Sequence, residues 1–202
     1  MGNVRRLGFA VVGMIGLAGC ALPASPGRMT VTALPAASFP PPLHASMCVE
    51  QVAGGEATYL LGMSEVGNAQ LQQALSQSLA ANGLLASGHG CQFPVTADIV
   101  ELNQPLIGID MKVSAQVAYT LRQEGQEKPL MHREISSYYI ASFGSSLLAV
   151  ERLRIANEGA VRANITKFLR KLETLVLPPV SKAQSEAPLS RTSAKAGGAA
   201  IM

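Results

Sequence analysis

Three cysteines hold most of the reactive chemistry in this chain: Cys20, Cys48 and Cys91. Cys48 and Cys91 lie about 43 residues apart, and a disulfide between them would stabilise the fold by up to ~4 kcal/mol. The rival reading is a pair of buried free thiols acting as small hydrophobes. The histidines His44, His89 and His132 are scattered, with no Cys-x-x-Cys or His-x-x-x-His spacing, so no metal and no cofactor is expected. Asp98 and Glu101 fall on opposite faces of a strand and cannot work as a pair, and Asp110 falls on a wet face. Gly62-Met63-Ser64 and Gly144-Ser145-Ser146 lack the Gly-x-Ser-x-Gly turn and any triad spacing; helix capping suits both better. Gly54-Gly55 and Gly88-His89-Gly90 lack the Lys-Ser/Thr ending of a phosphate loop and read as turns. No catalytic residue is assigned, and an enzyme is not expected.

Cys20 has a specific context. Arg5 and Arg6 precede an apolar run from Leu7 to Leu17, and small residues follow. Residues 1–19 thus read as a secretory signal peptide, too short in its apolar part for the ~20 residues that cross a bilayer. Leu17-Ala18-Gly19-Cys20 resembles the lipobox of bacterial lipoproteins. That resemblance implies a diacylglyceryl group on the Cys20 thiol, cleavage before it, acylation of the new amine, and a membrane anchor. The alternative is an ordinary signal peptide with a chance cysteine. Ala21, in place of an inner-membrane retaining Asp, looks like an outer-membrane sorting signal. The implied location is the bacterial outer membrane, facing the periplasm, where oxidation of Cys48 and Cys91 is favoured.

Losing Arg5 and Arg6 with the signal brings the formal charge from +3 to about +1, too little to argue for nucleic acid. Tryptophan is absent and aromatics are 4% of the chain, so carbohydrate platforms and base-stacking surfaces are poorly served. Residues 20–42 carry the candidate lipid site and then a Pro/Ala-rich stretch that reads as a spacer, able to reach about 60 Å if fully extended. Residues 178–202 read as a disordered tail.

Residues 43–177 are the size of one domain. Met47 to Val52 is a short strand candidate. Leu71, Leu75 and Leu79, with Ala74, Ser78 and Ala81, mark a helix over 66–81, stopped by Asn82-Gly83. Residues 93–103 alternate as a strand. Ile109 to Arg122 alternates apolar and polar as a long half-buried strand, Glu124-Gly125-Gln126 turns the chain, and Pro129 to Ala141 returns with Ile135, Tyr138, Tyr139 and Ile140 as bulky members. Ser145-Ser146 could cap a last helix striped by Val150, Leu153, Ala156, Ala160, Val161, Ile165, Phe168, Leu172 and Leu175. The order β-α-β-β-β-α predicts an α+β two-layer sandwich: a mainly antiparallel four-stranded sheet with both helices on its apolar face.

On the last helix, Glu151 with Arg154 and Glu158 with Arg162 are expected ion pairs worth ~0.2–0.5 kcal/mol each. Lys167, Arg170 and Lys171 complement the helix dipole; they are also the candidate binding surface for phospholipid or lipopolysaccharide head groups, against a solvated-face reading. The wet sheet face, with Lys112, Ser114, Gln116, Thr120 and Arg122, could dock a partner or simply face water.

Gly54-Gly55, Ala74-Leu75-x-x-Ser78-Leu79 and Ala156-Asn157-Glu158-x-Ala160-Val161-Arg162-x-Asn164-Ile165 resemble the YajG-like outer-membrane lipoproteins and, more distantly, the PqiC-like auxiliary lipoproteins of ABC-type lipid transporters. The resemblance implies a periplasm-facing domain on a lipid anchor, acting through a protein partner in the envelope. The expected function is a non-catalytic interaction or assembly module of a transport or envelope-biogenesis complex. The alternative is a lipid-handling protein that binds acyl chains or head groups, which would demand a roomy apolar cavity.

Overall fold

The computed structural model describes residues 22–58, 63–88 and 90–177. The expected signal peptide, Cys20, His89 and the expected tail from residue 178 lie outside the described residues. The elements are α1 (Pro26–Met29), β1 (Met47–Ala53), α2 (Asn68–Ala81), β2 (Phe93–Asn103), β3 (Met111–Leu121), β4 (Met131–Ala141) and α3 (Ala149–Glu173), with 3-10 turns at Pro41–Leu43 and Phe143–Ser145. The four strands form one sheet in the order β1-β2-β3-β4. β1 runs parallel to β2, and the other two pairings are antiparallel. The fold is thus α+β with a mixed sheet, its one parallel pair produced by the α2 crossover.

Alternation decides the buried face. On β3, Met111, Val113, Ala115, Val117, Tyr119 and Leu121 are all buried, and the residues between them are not. Helices α2 and α3 cover that face. α2 buries Leu71, Ala74, Leu75, Ser78 and Leu79, while Ala81 is exposed, outside the expected stripe. Gly83 stops the helix with a φ of +68°, which a glycine adopts without steric cost. Along α3, Val161, Ile165, Phe168 and Leu172 enter the main core, and Leu153, Ala156 and Ala160 pack on Met111, Val113 and Ala141 at the other end of the sheet. Phe168 lies flat on Tyr119, ring centroids 4.2 Å apart and planes 15° apart.

Some sequence expectations shift. β3 begins at Met111, which leaves Ile109 in an exposed loop. On β4 only Ile135 of the bulky residues is buried; Tyr138 and Ile140 alternate onto the open face. Neither Ser145 nor Ser146 caps α3. The N-cap residue is Leu148, whose N–H donates to Ser146 Oγ at 3.2 Å.

The largest correction concerns residues 22–42, which do not form a free spacer. They run as a strap along the groove between α2 and α3. Ala24, Met29, Val31 and Phe39 of the strap are buried in the main core with Leu43. Proline-rich chain has few backbone donors to satisfy, so it can lie against side chains without a sheet partner. Some of the remaining donors find side chains: Val31 N–H bonds Ser78 Oγ at 2.9 Å, and Leu34 N–H bonds Asn82 Oδ1 at 2.9 Å.

Candidate functional site

The strap brings the chain that leads from Cys20 onto the domain. Its start is tied down by Ser64. The Ser64 hydroxyl donates to the Leu22 carbonyl at 2.8 Å, and the Ala24 N–H donates to the Glu65 carbonyl at 3.1 Å. Ser64 is itself held from both layers, because its carbonyl accepts from Asn157 Nδ2 at 2.6 Å and from Gln104 Nε2 at 3.2 Å. Ser64 is therefore neither a helix cap nor an exposed nucleophile; it clamps the strap.

At the next residue of α3, Glu158 forms a second clamp. Its carboxylate accepts the Ser25 N–H at 2.9 Å and stands 3.7 Å from Arg154 and 3.8 Å from Arg28. The expected Glu158–Arg162 pair is not formed. Arg162 instead donates to the Arg28 carbonyl at 3.3 Å, because the strap offers a partner that helix spacing alone cannot reveal. The Glu151–Arg154 pair is formed, at 2.6 Å. Burial pushes the Glu158 carboxyl above its ordinary range, while the Ser25 N–H, Arg154 and Arg28 pull it partly back.

The motif that carries the family resemblance on α3 is structural. Asn157 reaches Ser64, and buried Asn164 donates through Nδ2 to the Ile135 carbonyl at 2.6 Å and the Ala115 carbonyl at 3.2 Å. Ser137 adds a bond to the Ala160 carbonyl at 2.8 Å. These bonds fasten α3 to β3 and β4.

Cys48 and Cys91 form a disulfide, with Cα atoms 5.6 Å apart. The parallel register sets Met47 against Phe93 and Cys48 against Pro94, which draws the two sulfurs together at the start of both strands. Lys167, Arg170 and Lys171 are all exposed near the far end of α3 but do not act as one group. Lys167 Nζ donates to the Ser136 carbonyl at 2.8 Å, and Arg170 pairs with Glu173 at 3.0 Å. Lys171 borders a shallow cleft with Pro129, His132 and Arg133.

An acidic cleft that sequence spacing did not disclose lies between β2 and the segment before α2. It is open, has a volume of about 550 Å³, and is lined by Glu56, Glu65 and Glu101 among others. Burial and the neighbouring charge of Glu56 raise the Glu65 carboxyl, and a 2.8 Å bond from Gln104 Nε2 opposes them. Among the described residues that line the cleft, none is a nucleophile. Among the described residues, no group of three His, Cys, Asp or Glu side chains could hold a metal ion.

The fold has relatives among solved structures. A protein from Xanthomonas campestris carrying the family model DUF330 is similar at 13% identity and a TM-score of 0.55, over 72% of this chain and 91% of that one. A minor lipoprotein from Acinetobacter baumannii is similar at 12% identity and a TM-score of 0.43, over 65% of this chain and 94% of that one. No family model and no curated protein matches the chain. The Xanthomonas likeness, at that identity, is one of fold.

Proposed function

We propose that this chain is a bacterial envelope lipoprotein, anchored through acyl chains on Cys20, whose domain serves without catalysis as an interaction or assembly module of a transport or envelope-biogenesis complex. The observation that carries the reading is Leu17-Ala18-Gly19-Cys20 after a basic start and an apolar run. Two further features support it. The disulfide suits an oxidising compartment, and the buried polar residues Ser64, Asn157, Glu158 and Asn164 are spent on holding elements together. Ala21 favours the outer membrane, and the α3 motif favours the YajG-like or PqiC-like lipoproteins as kin.

The lipid-carrier alternative needs an apolar cavity between the helices and the sheet. The strap occupies the helix groove, Phe168 stacks on Tyr119, and the described clefts open to solvent beside polar residues. An assembly module fits that filled interior better.

Labelling cells with an alkyne palmitate analogue tests the anchor: the wild type should carry label and fractionate with outer membranes, and Cys20→Ser should lose both. Equal labelling of the two would end the reading. In-envelope cross-linking of the anchored protein should then return a reproducible protein neighbour; a protein that cross-links to nothing in intact envelopes would remove the assembly role.

A further inference from the structure

The end of the sheet where β2 stops and β3 begins also receives the β4–α3 connection. Two loops meet there, residues 104–110 and 142–148, and Asp110 is their one charged side chain. Leu106, Ile107, Ile109, Phe143, Leu147 and Leu148 all stand exposed on them, with Leu106 at 83%, Ile107 at 91% and Leu147 at 84%. Single apolar side chains on a surface are ordinary, but six on adjoining loops form a patch. The backbone beneath them is pinned. Phe143 N–H donates to Asp110 Oδ1 at 2.9 Å, joining one loop to the residue that ends the other. Buried Arg152 donates to the carbonyls of Ser146 and Leu147 at 2.8 and 3.1 Å, and its guanidinium lies 5.1 Å from the Phe143 ring centroid. The leucines and isoleucines are thus held outward instead of folding back onto the core.

The chain from Cys20 arrives at this same end. Leu22 is bonded to Ser64, and Ser64 to Gln104, the first residue of the first loop. Cys20 is two residues before Leu22, so at ~3.8 Å per step its Cα lies within about 8 Å of that of Leu22. A lipid on Cys20 therefore holds this end of the domain, and not the opposite one, against the bilayer.

We propose that the two loops are a membrane-contact surface, seated at the boundary of head groups and acyl chains in the bilayer that anchors Cys20. The proposal rests on the lipoprotein reading of Cys20. A lipid surface is the occupant that the features select. The one charge of the loops, Asp110, is held by the Phe143 N–H at their base, their apolar side chains project separately instead of lining a groove, and the anchor starts beside them. Seated this way, the domain stands on its loop end. The β3–β4 hairpin and Lys167, Arg170 and Lys171 are then turned away from the membrane, which removes those cations as head-group ligands of the same bilayer.

The chain has no tryptophan, so one introduced indole reports alone. Ile107→Trp places it in the patch and Glu127→Trp in the hairpin at the other end. Each full mature chain is mounted on phosphatidylethanolamine/phosphatidylglycerol vesicles in two ways: through its cellular acyl groups, and through a maleimide lipid coupled to the unacylated Cys20 thiol. At position 107 the emission should shift to the blue and be quenched severalfold more by lipids brominated on the acyl chain than at position 127. Equal or absent quenching at position 107 on vesicle-bound protein overturns the proposal, as does protection of that position only in a cross-linked protein complex. Intact mass of the cellular protein reports acylation separately. If Cys20 carries no lipid, the anchor reading fails, while the maleimide arm still decides the patch.

Discussion

The Ser25 backbone N–H donates to the Glu158 carboxylate at 2.9 Å, across 133 residues of sequence, and Arg28 of the same strap turn stands 3.8 Å from that carboxylate. This bond fixes the strap to α3 close to the point where the chain leaves toward Cys20. It also places a nearly buried carboxylate between the two longest-separated parts of the domain.

The clamp has a pH signature. Burial raises the folded Glu158 carboxyl above its unfolded value of 4.5. Between the unfolded and folded values the folded chain binds more protons, so stability falls as pH rises through that window. On acidification from neutral toward pH ~5, wild type should gain melting temperature relative to Glu158→Gln, which keeps an acceptor and cannot titrate. Glu158→Ala should lose about 1–3 kcal/mol, because it leaves the Ser25 N–H and Arg154 without their acceptor. Parallel melting curves for wild type and Glu158→Gln across the pH range would show that burial does not strain this carboxyl.

Phe168 and Tyr119 join the helix layer to the sheet, and Phe168→Ala removes a fully buried ring worth about 3–5 kcal/mol. Arg170→Ala, which breaks one exposed pair with Glu173, should change stability by less than about 0.5 kcal/mol. Thermal melts of the mature chain carrying Cys20→Ser compare the two. A Phe168→Ala protein that melts like its parent would contradict the stacked core.

Cys48→Ser with Cys91→Ser opens a loop with a sequence separation of 43 residues. The expected loss is up to ~4 kcal/mol by chain entropy, and less where the unfolded chain keeps structure. Non-reducing intact mass of the wild type should show the deficit of one bridge, with no thiol open to alkylation under denaturing conditions.

The strands and both long helices were legible because their burial follows periods of 2 and 3.6, and Ile135, Phe168 and Leu79 fall where those periods put them. The strap was not legible. Met29, Val31 and Phe39 are buried without any period, since an extended proline-rich chain meets whatever the helix groove presents. Glu158 was misassigned for a related reason: helix spacing offers Arg162, while Arg28 and Ser25 come from far away in sequence. Ile109 continued the alternation of β3 on paper, but strand pairing ends at Met111 opposite Ala141. The acidic cleft joins Glu65 to Glu101 across a contact that no local spacing encodes.

Gly159 sits where α3 lies directly against Tyr139 of β4. A Cβ built there would overlap Cγ and Cδ1 of the Tyr139 ring. Gly159→Ala improves intrinsic helix propensity by about 0.8–1.0 kcal/mol, yet the overlap should turn the net effect into a loss of about 1–3 kcal/mol. Adding Tyr139→Ser should recover most of that loss, a non-additivity that only direct contact produces. Additive melts would mean that the helix does not press on the ring.

The strap makes the strongest division between a tether and a structural part of the domain. A spacer tolerates substitution, because its side chains face water in both folded and unfolded chains. Met29 instead is fully buried among the core residues, in the only α-helical turn of the strap. Truncating a buried methionine leaves a cavity and costs about 2–5 kcal/mol. Met29→Ala should therefore lower the urea midpoint of the mature chain substantially with an unchanged m-value, whereas Thr32→Ala on the exposed side of the strap should not. If both variants unfold like wild type, the strap contributes nothing to the core and residues 22–42 act as the flexible spacer that their composition suggested.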